Sequence, residues 1–181
     1  MFLLIKVVAN YTINNLHTLL FPYLRPLILP FNKLKSQKDL INNLSQMSKY
    51  HSCCIIDDDE FFSISSKRVL KQFDFSENIF YYTGGQEALD GLIGLVVENI
   101  PLPTIIFLDL NMPRRDGWSF LEEFQDLPKD KIAHVQIYIT SSFISPELME
   151  KSKNYSLVKD YIVKPLTENA VKKIIDSQEL E

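Results

Sequence analysis

The stretch Thr104-Ile-Ile-Phe-Leu-Asp-Leu-Asn-Met-Pro-Arg-Arg-Asp-Gly117 most restricts how this chain can fold. Its Ile, Leu and Phe run reads as a strand buried on both faces, as in a parallel sheet. The strand ends on a carboxylate, Asp109, and a turn follows at once. Pro113 cannot donate to a sheet ladder, and Asp116-Gly117 signals a turn before a new amphipathic run. Open α/β sheets place their ligands at the carboxyl ends of central strands. Taken alone, Asp109 reads equally well as a cap on the following turn, so the other strand ends must decide.

Four more strand patterns surround it. Cys53-Cys54-Ile55-Ile56 runs into Asp57-Asp58-Asp59-Glu60. Residues 78–83 are β-branched and aromatic and are broken by Gly84-Gly85. Residues 135–139 end in Thr140-Ser141-Ser142, and residues 160–163 run into Lys164-Pro165. Helical patterns alternate with them. The first, 60–73, places Phe61, Ile64, Val69, Leu70 and Phe73 as its expected apolar face. The second covers 86–98. The third carries Trp118, Phe120, Leu121 and Phe124 and is closed by Leu127-Pro128. Ser145-Pro146-Glu147 opens the fourth, to about residue 153, with a serine N-cap and proline at the first helical position. The fifth spans 167–177, with Thr167 as cap and Val171, Ile174 and Ile175 buried. A (βα) unit repeated five times demands a parallel sheet with helices on both faces, an α/β doubly wound fold.

The chain has 181 residues, 46% hydrophobic and 23% charged, enough for one ordinary domain and core. Charge is uneven: residues 1–50 carry six Lys or Arg against one Asp, a net +5, and residues 51–181 thirteen against twenty-two, a net −9. The break sets residues 1–48 apart as an N-terminal extension outside the fold and 49–181 as the domain. The acidic part argues against a nucleic-acid surface. Residues 1–31 are apolar but interrupted by Asn10, Asn14, Asn15, His17, Pro22, Pro26 and Pro30. A membrane-spanning helix needs roughly 20 nearly unbroken apolar residues, and a signal peptide a compact apolar core with a small-residue cleavage site. Neither pattern is met, which leaves a membrane-surface anchor, a partner-binding tail or a plain extension. The preferred reading is an upstream extension over 1–46 without a packed fold, with Met47 as the natural start. Cys53 and Cys54 are adjacent, so they point to opposite faces and do not pair; they read as buried, inert thiols in a reducing cytosol.

The strand ends gather Asp57, Asp58, Asp109, Thr140 and Lys164 at one edge. Converging carboxylates raise each other's pKa unless a cation sits among them. Oxygen ligands at an open, hydrated site suit Mg²⁺, while an ammonium and a hydroxyl hold an anion's oxygens. Together they describe a device for accepting a phosphoryl group on an aspartate.

From about residue 49 onward the chain resembles the receiver domain of two-component response regulators. The resemblance rests on Ile55-Ile56-Asp57-Asp58-Asp59, Leu108-Asp109-Leu110-Asn111-Met112-Pro113, Asp116-Gly117-Trp118, Tyr138-Ile139-Thr140-Ser141-Ser142 and Tyr161-Ile162-Val163-Lys164-Pro165. It implies a flavodoxin-like (βα)5 fold with Asp109 as phosphoacceptor. Asp58 would be the more direct Mg²⁺ ligand, Asp57 would act largely through water, and the Asn111 backbone carbonyl would complete the metal shell. Lys164 would bind a phosphoryl oxygen, with Lys164-Pro165 a cis peptide. Thr140 would close on the phosphoryl group, and Tyr161 matches the aromatic switch behind it. A sensor histidine kinase or histidine phosphotransfer protein would be the donor. The fourth and fifth helices would then present a face to a downstream protein in the cytoplasm. No output domain, nucleic-acid contact or membrane insertion is expected, and catalysis is limited to Mg²⁺-dependent self-phosphorylation and autodephosphorylation.

Neighbouring residues have plainer readings. Asp59 reads as a helix N-terminal charge rather than a ligand. Tyr161 also fits an ordinary half-buried sheet residue, and Ser141 stands where the family often has Ala or Gly. Arg114-Arg115 reads as a solvated pair, Met112-Pro113 as turn-shaping, and His134 as no metal ligand. A haloacid-dehalogenase-type phosphatase would use the Asp57-Asp58-Asp59 pattern with Asp57 as nucleophile, but the acidic pair expected after its lysine motif is missing. An inert receiver-like interaction module would lack the acceptor or the lysine. A flavodoxin-like nucleotide binder would need more than Gly84-Gly85 to cradle phosphates.

Overall fold

A computed structural model describes residues 48–112 and 116–178. The readings placed on residues 1–47, and on Pro113, Arg114 and Arg115, lie outside the described residues. Five strands, β1 (Tyr50–Ile56), β2 (Ser76–Tyr82), β3 (Ile105–Asp109), β4 (Gln136–Ser141) and β5 (Val158–Val163), form one parallel sheet in the order β2-β1-β3-β4-β5. The helices between and after them are α1 (Glu60–Gln72), α2 (Gly85–Val97), α3 (Gly117–Phe124), α4 (Lys129–Ile132), α5 (Pro146–Ser152) and α6 (Glu168–Gln178). The expected alternation is the observed one. The single turn α4, after Pro128, is an addition that sequence periodicity did not suggest.

Strand order reverses between β1 and β3, the place where doubly wound sheets open a crevice at the strands' carboxyl ends. Both strands are central, and β3 is buried throughout. Because successive side chains alternate, the sheet feeds two cores. Cys54, Ile56, Ile106, Leu108 and Ile139 join α2 and α3 through Leu89, Leu92, Phe120 and Phe124. Cys53, Ile55, Ile105 and Phe107 join α1 and α6 through Phe62, Leu70, Val171 and Ile174. Burying each such side chain contributes roughly 1.5–3 kcal/mol, which holds the strand ends in register. Cys53 and Cys54 are free and buried on opposite layers; burial pushes the Cys53 thiol up to about 11 and Cys54 well above its ordinary value.

One helix face is corrected. Phe61 and Ile64, expected inside, are 86% and 60% exposed. The buried stripe of α1 is Phe62, Ser63, Ser66 and Leu70, with Val69 and Phe73 packed beside it. Two small serines let the helix lie close to the sheet. Asp59 sets its rotation at the start, accepting from the Phe61 and Phe62 amides at 2.9 and 3.2 Å. Its reading as a helix-capping charge agrees with that geometry.

At the other side, Ser145 caps α5 by accepting from the Leu148 amide at 3.2 Å, as expected. The Lys151 ammonium of α5 lies 4.0 Å from the Trp118 ring centre, and the Tyr155 ring packs against the same indole, tilted by 38° with centres 5.7 Å apart. No helix among the described residues is long and apolar enough to cross a membrane.

Candidate functional site

β1, β3, β4 and β5 bring Asp57, Asp58, Asp109, Thr140 and Lys164 to the carboxyl edge. Asp109 pairs in register with Thr140, and Ser141 with Val163, so these ends stand level. The Asp109 backbone is confined as well: a methyl group on Gly117 would meet the Asp109 carbonyl oxygen at 2.4 Å and Leu110 Cα at 2.8 Å. Gly117 therefore lets the returning chain approach the strand end closely. Its amide donates to the Leu110 carbonyl at 3.0 Å, and Asp116 caps the helix that begins there through the Ser119 amide at 2.9 Å.

Asp57, Asp58 and Asp109 each offer a carboxylate oxygen within 4.8 Å of the others. Asp57 is fully buried and Asp58 exposed, while the Asp109 side chain keeps 9% of its surface. Lys164 Nζ stands 2.7 Å from Asp57 Oδ2 and 2.7 Å from Asp109 Oδ2. The second contact is a hydrogen bond. The first is an ion pair at the same distance, so one ammonium serves both carboxylates. The remaining oxygens are anchored locally: Asp57 Oδ1 accepts from the Asp59 amide and Asp109 Oδ1 from the Asn111 amide, each at 3.0 Å.

Electrostatics follow from this crowding. Burial pushes the Asp57 carboxyl above its ordinary value, Lys164 offsets part of that, and Asp109 adds to it. Burial alone would lower the Lys164 ammonium, but the hydrogen bonds and charges of Asp109 and Asp57 together hold it above its usual value. Thr140 is fully buried, and its hydroxyl has no hydrogen-bond partner. Buried polar atoms are nearly always satisfied, so the unpartnered Thr140 hydroxyl at this edge points to a group that completes it. The donor set is all oxygen, hard and anionic, and fits a divalent cation such as Mg²⁺.

The other expected residues fall nearby. Lys164-Pro165 is a cis peptide. Asn111 lies two residues beyond the end of β3 and is exposed. Tyr161 is half-buried, and its hydroxyl turns to α5: it touches Ser152 Oγ closely and lies 3.4 and 3.5 Å from the Met149 and Leu148 carbonyl oxygens. Burial raises its pKa. Ser141 is buried and donates to the Phe143 carbonyl at 2.8 Å, while His134 faces the Leu102 carbonyl at 3.2 Å rather than a metal cluster. Sequence reading missed Phe62, whose ring centre is 4.7 Å from Lys164 Nζ. The i, i+4, i+8 spacing of Phe62, Ser66 and Leu70 carried the signal, hidden by the serine.

Sheet order, the switch-point crevice and the acid–lysine edge define a class: doubly wound α/β domains with an anionic site at the strand ends. The chain belongs to the response regulator receiver domain family, whose model matches residues 53–176. A two-component response regulator from Cytophaga hutchinsonii is 27% identical, with a TM-score of 0.65, over 72% of this chain and 97% of that one. One from Legionella pneumophila is 26% identical, with a TM-score of 0.59, over 70% and 98%. An uncharacterized response regulatory protein of Staphylococcus epidermidis is 28% identical over 97 residues, 54% of this chain. The chain spans 36% of the length of that curated relative. Across the family, receiver domains are phosphorylated on an aspartate, bind Mg²⁺ at an acidic pocket and meet histidine kinases or phosphotransfer proteins. They are not enzymes apart from self-phosphorylation.

Proposed function

We propose that residues 49–181 act as a phosphorylatable switch in which Asp109 accepts a phosphoryl group from a histidine kinase or phosphotransfer protein. The observation that carries this reading is the gathering of Asp57, Asp58 and Asp109 around the Lys164 ammonium, with the unpartnered Thr140 hydroxyl in register with Asp109. Asp57 has no surface to offer a donor, whereas Asp109 does, which favours the receiver over the phosphatase reading. An Asp109 oxygen forms the new O–P bond as the donor's N–P bond breaks and its imidazole leaves. Lys164 moves from the carboxylate to a phosphoryl oxygen, and the Thr140 hydroxyl donates to another. Asp57, Asp58, Asp109 and the Asn111 carbonyl would hold Mg²⁺, which neutralises charge on the transferring group.

Tyr161 and α5 form the element whose equilibrium the phosphoryl group biases. Phe143, Met149 and Val163, 74%, 48% and 55% exposed, support a target surface on the α5 side, bounded by β5 and α6. The free, buried cysteines suit a reducing cytoplasm. Intact mass after incubation with acetyl phosphate and Mg²⁺ tests the assignment. Wild type gains one phosphoryl group, while Asp109→Asn and the chelated sample gain none. No gain in wild type leaves an inert interaction module. Continuous phosphate release that survives loss of Asp109 but not of Asp57 leaves the phosphatase.

A further inference from the structure

We propose that Phe62 is a positioning residue for Lys164, holding its ammonium over the aromatic face so that it stays between the two carboxylates. This rests on the acceptor reading above and goes beyond it. Three observations carry it. Lys164 Nζ lies 4.7 Å from the Phe62 ring centre, within the range of a cation–π contact. The ring is 5% exposed and the Lys164 side chain 13%, so the contact is nearly dry, where such attraction is strongest. Phe62 is itself fixed, because its amide donates to Asp59 in the turn that leaves Asp57. The wall of the site and one of its carboxylates are therefore set by the same six residues, 57–62, tied through Asp59.

The contact suits a lysine that must change partner. A hydrogen bond to a fixed acceptor would have to break when Lys164 passes from Asp109 to a phosphoryl oxygen. A ring face attracts the ammonium over a broad area, so the cation slides without losing its hold and without admitting water. An aliphatic side chain of similar size fills the space but offers no such attraction.

The test is the rate of phosphoryl gain from acetyl phosphate with Mg²⁺, followed by intact mass for Phe62→Leu, Phe62→Tyr, Lys164→Ala and Phe62→Leu with Lys164→Ala. Phe62→Leu is expected to slow the gain about three- to tenfold, and Phe62→Tyr to stay within about twofold of wild type. In the Lys164→Ala background, Phe62→Leu should change nothing further, which a merely space-filling role would not produce. An unchanged rate for Phe62→Leu overturns the inference. So does an equal slowing with and without Lys164. No gain in wild type overturns the acceptor reading and this inference with it, which separates the two failures.

Discussion

The two edges of the sheet differ in how they gather charge. At the amino edge, Lys129, His134, Gln136 and Lys159 line a cleft of about 610 Å³. Lys129 donates to the Gln125 carbonyl, and His134 meets the Leu102 carbonyl. The carboxyl edge has three crowded carboxylates, a shared lysine and a buried, unpartnered Thr140 hydroxyl. The cleft's basic groups are spread out and meet carbonyl oxygens. The carboxyl edge concentrates opposite charges within a few ångströms, where a change in one group is felt by the others.

Lys164→Ala would sharpen the contrast most, because it leaves fully buried Asp57 beside Asp109 with no cation. A loss of about 3 kcal/mol is expected by denaturant unfolding, partly recovered on adding Mg²⁺, while phosphorylation remains possible and the response to it weakens. Unchanged stability would break the claim that this edge is electrostatically loaded. Gly117→Ala forces a methyl group against the Asp109 carbonyl and should cost about 2 kcal/mol, read by the same unfolding curve. Asp116→Ala removes the α3 cap and should cost about 1 kcal/mol at neutral pH. The Ser119 amide holds the Asp116 carboxyl below its ordinary 3.8. Its folded value is thus depressed: its contribution is whole above 3.8 and fades as pH falls through the folded value, so wild type and variant should converge in acid. Lys129→Ala, at the amino edge, should stay within about 0.5 kcal/mol and leave phosphoryl gain unchanged. A slowed gain there would erase the distinction between the edges.

Much of this was legible in the sequence because each strand pattern ends abruptly on a polar residue. Alternating periods gave the (βα) order, and the order sent Asp57, Asp109, Thr140 and Lys164 to one edge. Ser145-Pro146 carried its own cap chemistry. The face of α1 was not legible: with Phe61, Phe62 and Ile64 all apolar, periodicity admits more than one stripe. The observed one runs through Ser63 and Ser66, which an apolar count ignores. Phe62 was lost with it. The engagement of Tyr161 with Ser152 was equally hidden, since it depends on how close α5 lies to β5, a distance no local pattern encodes.

Trp118 is the chain's single tryptophan, and it sits in the first turn of α3, under an ammonium borne by α5. Charge held over an indole alters the colour and yield of its emission. The protein therefore carries its own optical gauge of how those two helices lie. A stopped-flow trace excited at the red edge of the indole band can follow it in real time, without a dye and without a second tryptophan in the chain.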